Sequence, residues 1–147
     1  MKVLVDTCVW SLALRRNQPV EDPFVLELRE LITELRVQML GPVRQELLSG
    51  IRSRAQFTTL QNRLRAFPDL ELKTADYERA AGFFNTCRAQ GVQGSNTDFL
   101  LCAVANRLEI PILTTDADFK LFQQHIQVDL HRPRHEGGQP EGAPGQA

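Results

Sequence analysis

The sequence predicts a three-layer α/β sandwich: a mostly parallel sheet of about four or five strands flanked by helices. Three observations predict it. Short apolar segments alternate with helical ones along the chain up to about residue 131. The short segments are continuous aliphatic runs, as strands covered on both faces require. The length of 147 residues, with 42% hydrophobic and 24% charged side chains, suits a single well-buried core.

Each element follows from its own pattern. Residues 2–5 (KVLV) read as a strand ending at Asp6, and residues 8–15 (CVWSLALR) as a short helix directly after it. Over residues 23–36, Phe24, Val25, Leu28, Leu31, Ile32 and Leu35 recur at helical spacing behind Pro23, a favoured first helical residue. Residues 37–40 (VQML) predict a strand, followed at Gly41-Pro42 by a helix that Gly50 can end. Phe57, Leu60, Leu64 and Phe67 mark a helix over residues 53–67, stopped by Pro68. The next helix, about Thr74 to Gln90, is expected to bury Tyr77, Ala80, Ala81, Phe84 and Cys87. Gly91 and Gly94 bracket a loop. The helix from Asn96 to Leu108 is apolar almost all round and therefore belongs at the centre. Residues 110–114 (IPILT) predict a buried strand, residues 116–123 a short helix, and residues 126–130 (IQVDL) a last strand.

These elements make one domain over residues 1–131. Residues 132–147 (RPRHEGGQPEGAPGQA) are rich in Gly and Pro without periodicity and are expected to form a disordered tail. There is no internal repeat. No apolar run approaches a membrane span, and the N-terminus lacks a signal-peptide pattern, so a cytoplasmic protein is expected. Cys8, Cys87 and Cys102 are odd in number and form no CxxC pair. They read as small buried hydrophobes, not as a disulfide framework or a zinc site. A net charge of −1 argues against strong binding of nucleic acid by bulk charge. It does not exclude an RNA substrate, because most of the positive charge is arginine, the side chain suited to phosphate.

Several carboxylates stand in positions that invite chemistry. Asp6 and Asp116 follow strands at their C-terminal ends, where open α/β sheets bind ligands. Asp6 serves equally well as an N-cap of the following helix. Asp98 falls between Leu101, Cys102 and Ala105 on the apolar face of its helix, with no Lys or Arg nearby on that face. Its alternative role is the acidic member of a capping box with Ser95. Asp118 has capping-box spacing from Thr115. Glu46 borders the stripe of Val43, Leu47 and Ile51, where Glu is a common helix former. Acids brought to one edge of a parallel sheet can hold a hard cation through oxygen and activate a water for attack on phosphorus. His125, His131 and His135 fall in no metal-ligand spacing. A Walker loop, a dinucleotide fingerprint and a nucleophilic triad are missing.

The ordered strings VDTCVW, QELLSG, NTDFLLCAVA and ILTTDADF resemble those of a PIN domain, in particular the VapC-like toxins, over residues 2 to about 130. The resemblance places the four family acids on Asp6, Glu46, Asp98 and Asp116. It implies that Asp6, Asp98 and Asp116 hold Mg²⁺ or Mn²⁺ and that Glu46 positions the metal or the attacking water. Thr7, Thr114 and Asp118 are implied to support them. The loop before Asp98, GVQGSNT, departs from the commoner family form. The resemblance further implies an endoribonuclease, a homodimer, and a cognate VapB-like antitoxin whose C-terminal segment lies over the active site. Trp10, Leu12 and Leu14 offer apolar surface for such a partner or for the chain's own core. Arg15, Arg16, Arg44, Arg52 and Arg54 are candidates for phosphate contact. Two other readings compete: a catalytically silent PIN-like adaptor that binds RNA or protein, and a Mg-binding α/β signalling domain. Retention of all four acids disfavours the adaptor. The absence of a lysine after IPILT disfavours the signalling domain.

Overall fold

The computed structural model describes residues 1–15 and 21–134. In chain order these residues form β1 (Val3–Val5), α1 (Thr7–Leu14), α2 (Pro23–Thr33), β2 (Val37–Gln38), α3 (Gly41–Leu48), α4 (Arg54–Leu64), α5 (Thr74–Ala89), α6 (Asn96–Leu108), β3 (Ile112–Leu113) and α7 (Asp118–Phe122). The sheet has the order β2-β1-β3 and is parallel throughout. Single parallel bridges extend it at both edges, Met39 to Asp69 and Ile112 to Leu130. The segment expected as a last strand thus joins the sheet at one bridge, where Ile112 N–H donates to Asp129 at 2.9 Å and His131 N–H donates to Ile112 at 2.8 Å.

All three residues of β1 are buried. Successive strand side chains point to opposite faces, so helices must cover both, and that makes the architecture three-layered. α6 is the central helix its composition predicts. Seven consecutive residues, Phe99 to Ala105, are buried. The rings of Phe84, Phe99, Phe119 and Phe122 interlock and tie α5 and α7 to α6. No helix among the described residues is long and apolar enough to cross a membrane.

Some expectations need correction. Leu35 does not continue the apolar stripe of α2. It is 80% exposed with φ +59°, and Arg36 N–H closes back on Leu31 at 2.9 Å, the bond that ends a helix through a left-handed residue. Along α5, Ala80 and Cys87 are buried, whereas Tyr77 and Ala81 face outward and Phe84 is half-buried. The inward position goes to Asp76, because Arg107 of α6 grips its carboxylate with two bonds of 2.7 and 2.9 Å. That pair fixes the rotation of α5 on α6. Cys87 and Cys102 are buried as expected, but Cys8 is only half-buried.

Residues 132–134, assigned to the tail by composition, run against α2. There Glu27, 0% exposed, receives His131 Nε2 at 2.6 Å and both the backbone and side-chain N–H of Arg134 at 3.0–3.1 Å. Burial raises the Glu27 pKa, but the bonds from Arg134 and His131 outweigh it and hold the carboxyl at about 2. The rest of the expected tail, residues 135–147, lies outside the described residues, as does Arg16.

Candidate active site

The site is built where β1 and β3 end side by side. Asp6 leaves β1 and is 6% exposed. One of its carboxylate oxygens accepts Thr7 N–H at 2.8 Å. The other accepts the Thr114 hydroxyl at 2.8 Å and faces the Cys8 thiol at 3.4 Å. Asp6 is therefore both the N-cap of α1 and a carboxylate oriented from across the sheet. The parallel register that sets Val5 beside Leu113 brings Thr114 to it. The same Thr114 oxygen accepts Asp116 N–H at 3.0 Å. One hydroxyl thus spaces two acids.

Asp98 enters from the first turn of α6. It forms the capping box with Ser95 in both directions, at 2.9 and 3.0 Å. The cap and the site readings of Asp98 are compatible, since the capped carboxylate also feels the charges of Asp6 and Asp116. Burial first, then this mutual repulsion, raises the pKa of Asp98. Asp6 is raised likewise, by burial foremost, with Asp116 adding repulsion and the bonds from Thr114, Cys8 and Thr7 opposing. The strongest charges acting on both are carboxylates.

Gly94 governs how the chain reaches Asp98. A Cβ there would stand 2.6 Å from the Phe122 ring and 2.9 Å from that of Phe99. The GVQGSNT loop therefore passes directly against the aromatic cluster, and a glycine at position 94 is what this close approach needs.

Glu46, on the exposed face of α3, is joined to the group by the Thr7 hydroxyl, which donates to it at 2.6 Å. Thr7 thus links Glu46 to Asp6, whose carboxylate its own backbone N–H bonds. Asp118 is exposed and forms no capping box with Thr115. Its backbone N–H donates to Asp116 at 2.9 Å, so Asp116 itself holds the start of α7. Cys8 was read as a core residue, but besides facing Asp6 it accepts Thr115 N–H at 3.4 Å. Its position two residues past Asp6, at the start of the helix, was the available signal.

Trp10 turns out to be core, packed edge-on against Phe67 at 5.1 Å. Leu14 lines a groove of about 690 Å³ with Leu47, Ile51 and Leu60, and Arg15 and Arg63 also line it. Arg44 is committed to structure. It pairs with Asp69 at 2.9 Å and donates to the carbonyls of Leu64 and Phe67. Arg52 and Arg54 are exposed.

Among the described residues no three His, Cys, Asp or Glu side chains stand together as a ready-made site for an ion. The donors present are nonetheless all oxygen. Asp6 and Asp98 both have carboxylates as the charges that disfavour their ionised forms, a conflict a divalent cation would relieve. Mg²⁺ keeps several waters and takes only one or two protein carboxylates directly, so an open arrangement fits it.

The family model of the PIN domain matches residues 3–123. VapC11, a ribonuclease of Mycobacterium tuberculosis, is 32% identical over 124 residues, spanning 82% of this chain and 90% of that protein. A VapC ribonuclease of Mycobacterium bovis matches to the same extent. Among solved structures, FitAcB from Neisseria gonorrhoeae superposes with a TM-score of 0.71 at 22% identity, covering 90% of this chain and 99% of that one. VapBC2 from Rickettsia felis, bound to a DNA fragment from its promoter, gives 0.70 at 17%, covering 89% and 98%. These structural likenesses carry the fold, and the sequence matches carry the family: the chain belongs to the PIN domain family, of the VapC-like kind.

Proposed function

We propose that this protein is a metal-dependent endoribonuclease that hydrolyses RNA phosphodiester bonds, acting as the toxin of a toxin–antitoxin pair in the cytoplasm. The observation that carries the mechanism is the Thr114 hydroxyl at the paired ends of β1 and β3, bonded to both the Asp6 carboxylate and the Asp116 backbone, with Asp98 from α6 near enough to feel both charges. Asp6, Asp98 and Asp116 hold Mg²⁺ or Mn²⁺, directly or through water. When bound, the ion supplies Lewis acidity, lowering the pKa of a water and neutralising charge that develops on the phosphoryl oxygens. Thr114 keeps Asp6 and Asp116 apart and aimed. Thr7 fixes one oxygen of Glu46, leaving the other to orient the attacking water and accept its proton. Asp118 supports Asp116 through its backbone N–H.

The names of the solved relatives, VapBC structures among them, support a cognate antitoxin for this chain; a homodimer follows from the family resemblance alone. The groove at the end of α1, with Leu14, Leu47, Ile51 and Leu60 beside Arg15 and Arg63, is a suitable seat for an antitoxin segment. RNA incubated with the purified chain should be cut in Mg²⁺ or Mn²⁺, be spared in chelator, and be spared by Asp98→Asn. Cleavage that persists in chelator, or at full rate in Asp98→Asn, would overturn the mechanism. Failure of the chain to co-purify with the product of a neighbouring small antitoxin gene would remove the toxin role.

A further inference from the structure

A cavity of about 480 Å³ opens beside the acids, between the end of β3, α7 and the segment after Leu130. Thr115 and Asp116 line it from the acid side, Phe24 from α2, Lys120 from α7, and His131 and Arg132 from the far wall. We infer that this cavity is the subsite for the nucleotide next to the scissile bond of a single-stranded RNA, with Lys120 and Arg132 holding its phosphate and Phe24 supporting its base. The inference rests on the ribonuclease reading above and adds the residues that would bind the strand.

Four observations carry it. The cavity shares Asp116 with the acid group, so a strand with its reacting phosphodiester at the acids has its neighbouring nucleotide here. A cluster of carboxylates repels a polyanion, and nearby cations must offset that repulsion. Lys120 makes no ion pair among the described residues, whereas Arg44, Arg107 and Arg134 are engaged by carboxylates. The volume is that of a small-ligand pocket, with a half-buried aromatic ring on one side, and base–aromatic stacking is tolerant of sequence. The far wall is also preorganised. His131 is bonded by its backbone to Ile112 and by its ring to Glu27, and Arg134 to Glu27 as well, so Arg132 sits between two anchored neighbours. Glu27 is accordingly a positioning residue for the cavity.

The test measures binding of a labelled single-stranded oligoribonucleotide to the full chain carrying Asp98→Asn, in chelator, over a range of salt. Adding Lys120→Gln and Arg132→Gln should weaken binding roughly tenfold and flatten the dependence of log K on log salt by about 0.7 for each cation removed. Lys73→Gln is the control. Lys73 lies three residues before Asp76, which grips the C-terminal turn of α6, the end opposite Asp98. Arg132→Lys, which keeps the charge, should retain most of the affinity. In the active chain the double variant should raise KM more than it lowers kcat. If the unmutated chain cleaves RNA while the double variant binds with unchanged affinity and salt slope, the cavity assignment alone is overturned. A chain that neither binds nor cleaves RNA overturns the ribonuclease reading and this inference with it. Unchanged RNA affinity with loss of a partner protein would assign the cavity to that partner and overturn the inference.

Discussion

Asp6 shows how one side chain can cap a helix while its own charge is disfavoured. Its carboxylate caps α1 and accepts bonds from Thr7 and Thr114, yet burial and the nearby Asp116 raise its pKa. A raised acid pKa means that the folded chain binds a proton more tightly than the unfolded one. The resulting cost to stability is present above the folded-state pKa and is relieved as pH falls through it. Asp6→Asn keeps a competent N-cap and removes the repelled charge. It should therefore raise the melting temperature at neutral pH without metal, by roughly 2–4 °C for about 1 kcal/mol, while activity falls about a hundredfold or more. Calorimetry and an RNA cleavage assay check both halves. Mg²⁺ should stabilise the unmutated chain and not this variant, by mass action on the folded state. A drop in melting temperature for Asp6→Asn would show that its hydrogen bonds outweigh its repulsion.

Two junctions between elements carry measurable strain or closeness. Leu35 holds a left-handed conformation at the end of α2 with its side chain in solvent, where glycine is the favoured residue. Leu35→Gly should stabilise the chain by about 1 kcal/mol, visible as a higher denaturant midpoint at unchanged slope. Gly94 is the contrary case, since the rings against it are fully buried and interlocked and have little room to yield. Gly94→Ala should cost about 1–3 kcal/mol and, by lifting the loop that leads into Ser95 and Asp98, reduce cleavage further than the lost stability explains. Activity per folded molecule, measured well below the melting temperature, separates the two effects. The periodic patterns of α2 and α6 made these helices legible in the sequence. The end of α2 at Leu35 was not legible, because an apolar residue at the next stripe position reads as helix until the backbone is seen to turn away.

Across the whole molecule, the C-terminal segment is clipped to α2 by Glu27, His131 and Arg134. Glu27 titrates at about 2 against an ordinary value of 4.5. A lowered acid pKa contributes stability that is fully present above the unfolded value and is lost as pH falls from about 4.5 towards 2. Arg134→Ala leaves the buried Glu27 carboxylate with less support and should lower the urea midpoint near neutrality. Its stability should also decline less steeply than that of the unmutated chain over that acid window, as urea unfolding at several pH values would show. An identical acid slope in the two proteins would mean that Arg134 does not hold the Glu27 pKa down.

The alternation of buried apolar runs with amphipathic helices sets the α/β class, and short ordered strings around Asp6, Glu46, Asp98 and Asp116 identify the family, because both are local properties of the chain. What the sequence left open was settled by neighbours far apart in it. Thr114 and Asp6, 108 positions apart, meet only through parallel register, and Glu46 reaches the group only through Thr7. Nothing in the local pattern around Glu27 marks it as buried; His131 and Arg134, more than 100 positions later, fold back upon it. Burial and partner choice are collective, so no window of sequence contains them. The four acids and the capping box of Ser95 with Asp98 could be named from strings, but the bonds of Thr114 to both Asp6 and Asp116 and the cation-walled cavity beside them exist only once the sheet has drawn distant segments together.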